Sequence, residues 1–79
     1  MEKELNLNYN KARLFCDLGM EVHITMFNGF IHNGKIEHLE PDFFLLEDNR
    51  KGLIPIFFIE VVDIEKYEKE NKDGTAGNL

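Results

Sequence analysis

Seventy-nine residues with nine lysines and arginines against fifteen acids, a formal net charge of −6, describe one small acidic domain. A core of that size needs help from disulfides, metals or partners, and Cys16, the only cysteine, excludes a disulfide within the chain. The acidic balance excludes tight, non-specific nucleic-acid binding, which requires clustered Lys and Arg.

No apolar run approaches the roughly 20 residues that span a bilayer. Met1-Glu2-Lys3-Glu4 lacks the basic-then-apolar order of a signal peptide, so a cytoplasmic protein is expected. Residues 1–8 read as a flexible N-terminus. From there Lys11, Leu14, Phe15 and Leu18 recur at helical spacing, with Asn8 as cap and Gly19 as terminator. The pattern predicts a short amphipathic helix over Tyr9–Leu18, with Cys16 as a small buried or half-buried thiol.

Val22, Ile24 and Met26 then alternate with Glu21, His23 and Thr25, the mark of a half-buried strand. Asn28-Gly29 predicts a two-residue hairpin turn, and a second strand follows from Phe30 to about Leu39. That turn sets Met26 opposite Ile31, but regular pairing would then leave Ile36 on the wrong face. One extra residue near Asn33-Gly34 corrects the phase, so the second strand is predicted to bulge and bend at Gly34.

Glu40-Pro41-Asp42 reads as a tight loop, Phe43–Glu47 as a third strand, and residues 48–52 as a second turn. Residues 53–59 form seven positions without a charge, interrupted by Pro55, and Val61–Tyr67 a fifth strand. The tail 68–79 is polar and expected to be disordered. The whole describes a mainly β domain over residues 9–67, a short helix followed by a five-stranded, strongly bent antiparallel barrel.

The fourth strand implies a partner. Both its faces are apolar, the barrel can bury one, and a ten-residue helix covers only part of the other. Pro55 marks it as an edge, and an open apolar edge aggregates unless it is paired. Pairing with a second copy is expected, through Ile54, Ile56, Phe57, Phe58, Val62 and Ile64.

Leu18-Gly19-x-x-Val22-x-Ile24-x-Met26-x-Asn28-Gly29, continuing through Ile31, Gly34, Ile36 and Leu39, resembles the first motif of the Sm-like family of small barrels. Phe44-Leu45-Leu46 fills that family's apolar third strand, and Phe57–Ile64 resembles its second motif. The resemblance implies a hexameric or heptameric ring that binds single-stranded RNA, without a cofactor or a small-molecule substrate. RNA contacts are expected at the loop residues Glu40, Asp42 and Phe43, at the turn residues Phe58 and Ile59, and at Lys11 and Arg13 on the helix. The family's turn carries Lys-His or Arg-Gly where Phe58 and Ile59 stand here, and its loop site has two acids here. A second reading is therefore a protein-assembly module on the same fold. No nucleophile–base set, phosphate-binding loop or metal spacing supports an enzyme, and His23, His32 and His38 read as surface residues.

Overall fold

The computed structural model describes the backbone of residues 2–68 and the side chains of residues 7–68. Helix α1 (Glu2–Leu18) is followed by strands β1 (Glu21–Met26), β2 (Ile31–Leu39), β3 (Phe43–Asp48) and β4 (Gly52–Phe57). A 3-10 turn (Phe58–Glu60) then leads into β5 (Val61–Lys66). The strands form one antiparallel sheet in the order β4-β3-β2-β1-β5, so the expected mainly β, helix-first architecture is present. Of the tail read as disordered, residues 69–79 lie outside the described residues.

α1 begins at Glu2, not Tyr9, so most of the segment expected to be flexible is helix and Asn8 lies inside it instead of capping it. Its buried side also differs. Asn8 and Ala12 are buried, with Tyr9, Phe15 and Cys16 packed against the core, whereas Leu14 and Leu18 are exposed. The small Ala12 side chain lets the helix axis approach the sheet, so the contact stripe follows positions 8, 12 and 15–16. The end matches expectation. Gly19 takes φ +67°, and the amides of Gly19 and Met20 donate to the carbonyls of Cys16 and Phe15, each at 3.1 Å.

The hairpin supplies a clear correction. Thr25 pairs with Ile31, Ile24 with His32 and Val22 with Gly34, without interruption at Gly34. The extra residue sits in the turn: Met26 N donates to Phe30 O, Gly29 N donates to Met26 O, both at 2.9 Å, and Gly29 takes φ +90°. That is a three-residue loop closed by a glycine bulge. The phase correction inferred from Ile36 was needed, but it is made five residues earlier. Ile31 consequently points outward, and His32 takes the inner rim beside Ile24.

Gly34 serves another purpose. A Cβ on it would run into the carbonyl of Glu47 on β3, so glycine permits the close approach of two backbones. β2 pairs with β1 through residues 31–35 and with β3 through 34–39, and its bulge lies at Glu37, between Ile36 and His38. One strand thereby serves two neighbours in succession and turns the sheet.

The inner faces contribute Val22, Ile24, Met26, Ile36, Phe44, Leu46, Ile56, Val61 and Ile64, and the 3-10 turn adds Phe58. α1 packs chiefly on β2, β5 and that turn. The turn is pinned at both ends: Phe58 N donates to Asp42 O at 3.0 Å, and Phe27 N donates to Glu60 O at 2.9 Å. Among the described residues, no helix is long and apolar enough to cross a membrane.

Candidate functional site

β4 and β5 are the two edges of the sheet, each paired on one side only among the described residues. Strand geometry sorts the side chains of β4. Phe43–Phe57, Leu45–Pro55 and Glu47–Leu53 are opposite on the outer face, Phe44–Ile56 and Leu46–Ile54 on the inner. Of the residues expected to meet a partner, Phe57 (44% exposed) and Val62 point outward. Val62 does so because Thr25 faces Asp63 and Met26 faces Val61, leaving it at the bulge. Ile56, Phe58 and Ile64 lie in the chain's own core, and Ile54 is half-buried on the inner face. Ile56, Phe58 and Ile64 are thus interior residues of the single chain, whereas Ile54 keeps part of its surface open. Leu53 and Pro55 are the other exposed outer-face residues of β4.

The loop and turn expected to contact RNA are adjacent, joined by the Phe58–Asp42 backbone bond, with Glu40 N donating to Phe43 O at 2.8 Å. Phe43 is half-buried on the outer face, its ring centroid 5.3 Å from that of Phe57. Ile59 is 73% exposed, whereas Phe58 is 4% exposed and packs between Tyr9 and Phe44, so it cannot reach a ligand. Glu40 binds His38, and Asp42 is exposed, so the ionisable side chains of this loop are acids.

Lys11 is committed within the chain. Its Nζ lies 2.8 Å from Asp63 Oδ1 and 3.4 Å from Glu65 Oε2. The hydrogen bond to Asp63 holds the ammonium above its ordinary value despite burial. Burial pushes Asp63 up, but the Lys11 hydrogen bond and charge outweigh it and hold that carboxyl low. Arg13 is exposed.

The β1–β2 hairpin, tied to the 3-10 turn through Phe27 N, carries two aromatic residues the sequence reading passed over. Phe27 and Phe30 flank the hairpin turn and are exposed, and Lys51 Nζ lies 5.9 Å from the Phe30 ring centroid. The available signal was the pair of phenylalanines around Asn28-Gly29, too polar a setting for core residues. Asp48 organises the neighbouring turn: its Oδ1 accepts from the amides of Arg50 and Lys51 at 2.8 and 3.0 Å, and its Oδ2 lies 3.1 Å from His32 Nδ1. Burial raises the Asp48 carboxyl, but these donors together hold it below its ordinary value. His32 is thus largely buried instead of a surface residue. His23 binds Asn33 at 2.7 Å and stacks parallel to Tyr67, so the three histidines take separate partners. Cys16 is half-buried, and burial pushes its thiol pKa up.

No family model matches the chain, and no curated protein matches it in sequence. Solved structures do match. One is a crystal structure of Hfq, a pleiotropic translational regulator, at TM-score 0.66 and 22% identity, covering 76% of this chain and 98% of that one. The structural match runs over nearly the whole of that protein. The chain therefore has the Sm-like fold, the fold of Hfq.

Proposed function

We propose that the protein is a ring-forming homo-oligomer that binds single-stranded RNA weakly or with a narrow preference. The observation that carries the assembly is the pair of edge strands: β4 presents Leu53, Pro55 and Phe57 outward, and β5 presents Val62. An apolar edge on one side and a different edge on the other make a head-to-tail contact, which closes into a ring when the rotation allows. Six or seven copies follow from the likeness to the Sm-like family.

For RNA, the hairpin end is better equipped than the loop. Phe27 and Phe30 offer stacking faces, and Lys51 lies over Phe30 where a phosphate would approach a stacked base. The loop offers Glu40 and Asp42, and Lys11 is already neutralised. Titration of the oligomer with short poly-U and poly-A at low salt tests this reading. Binding that weakens with salt and is lost in Phe30→Ala supports it. A second reading, an assembly module without RNA, is favoured by the acids of the loop and the net charge of −6. Absence of binding to both polymers would decide for it.

A further inference from the structure

Leu7, Lys11, Leu14 and Leu18 stand at successive spacings of four, three and four, so they share one stripe of α1. The three leucines are exposed. Lys11 ties the stripe to β5 through its pairs with Asp63 and Glu65. The register puts those acids opposite Thr25 and His23, on the outer side of the strand. The leucine stripe therefore overhangs the β5 edge. Contacts along the helix fix its direction as well. Tyr9 meets Phe58, just before β5, Lys11 meets its middle, and Glu21 O, just after the helix, accepts from Tyr67 N beyond the strand's end. Helix and strand run side by side in the same sense.

We infer that this overhang is half of the contact between copies. With β4 of a second copy added antiparallel to β5, Leu7, Leu14 and Leu18 cover the outward side chains Leu53, Pro55 and Phe57 of that strand. The inference rests on the edge-pairing reading above and names what covers two otherwise exposed apolar surfaces. The lengths agree: Leu7 to Leu18 spans about 16 Å of helix and Leu53 to Phe57 about 13 Å of strand. The charges agree too. Lys11 is neutralised by its own chain's acids, and residues 53–59 of the incoming chain bring no charge before Glu60. Antiparallel addition, the sense of every other pair in the sheet, brings the start of the incoming β4 to the end of β5, where α1 also ends. Arg50 of the incoming copy then meets Asp17, both exposed and neither in an ion pair among the described residues.

Sedimentation velocity on the full chain tests this. Leu14→Glu and Leu18→Glu alter exposed side chains, so the far-ultraviolet circular dichroism should be unchanged while the dissociation constant rises about 100-fold. Arg50→Asp should weaken association, and Asp17→Arg added to it should restore the wild-type mass. A monomeric wild type would overturn edge pairing and this contact together. An oligomeric wild type whose mass survives both leucine changes would overturn the helix contact alone. Should the leucine variants lose helical signal, the Arg50–Asp17 exchange decides, and lack of rescue there overturns the inference.

Discussion

Asp48 accepts from two backbone amides and faces His32, so one carboxylate closes the β3–β4 turn and ties it to β2. Asp48→Ala should cost about 2 kcal/mol in urea unfolding, since two amides and His32 lose their partner. The pH dependence follows from its carboxyl lying below the ordinary 3.8 in the fold. Its contribution is fully present above that value and is lost as the pH falls through the lower folded value. The stability gap between wild type and Asp48→Ala should therefore narrow below about pH 4; a gap constant down to acid unfolding would contradict it. Gly34 makes a sharper case. Gly34→Ala places a methyl against the Glu47 carbonyl, and neither backbone can retreat without breaking the β2–β3 ladder. A loss of about 3 kcal/mol is expected, measured by thermal unfolding. Gly34 was legible as special, but for a bulge; what required glycine was another strand, which no local pattern displays.

β4 shows what an element's pattern reveals and conceals. Its uncharged run correctly implied two apolar faces, yet it left open which residues lay on which. The pairing with β3 decided that: Ile56 faces Phe44, and Phe57 faces Phe43. The two positions should then respond differently to the same change. Ile56→Asp buries a charge at a site 3% exposed and should abolish folding, whereas Phe57→Asp should leave a folded chain of lower mass. Circular dichroism with light scattering separates the outcomes, and equal unfolding of both would refute the assignment of faces. α1 misled in a related way. Lys11, Leu14 and Leu18 have the spacing of a buried stripe, but a helix exposes whatever its contact with the sheet leaves over, and Ala12 made the closer contact.

At the scale of the molecule, apolar edge pairing and RNA binding have opposite signatures in salt. Assembly through Leu53, Pro55, Phe57 and the helix leucines should keep its mass at about 1 M salt, where surface charge pairs are screened. RNA binding at Phe30 and Lys51 should fall away over the same range. A mass that collapsed with salt would show that charges, not the apolar edges, hold the copies together.

The sequence by itself determined one helix ended by Gly19, five strands in order, a phase correction somewhere before Ile36, and a fourth strand apolar on both faces. These follow from spacing, since alternation and glycine chemistry act over a few residues. Only the tertiary structure decided where the correction falls, which side of α1 is buried, that Lys11 is spent on Asp63 and Glu65, and that Phe58 belongs to the core. Each depends on a neighbour fifteen or more residues away or on the register between strands, where a shift of one residue exchanges inside for outside.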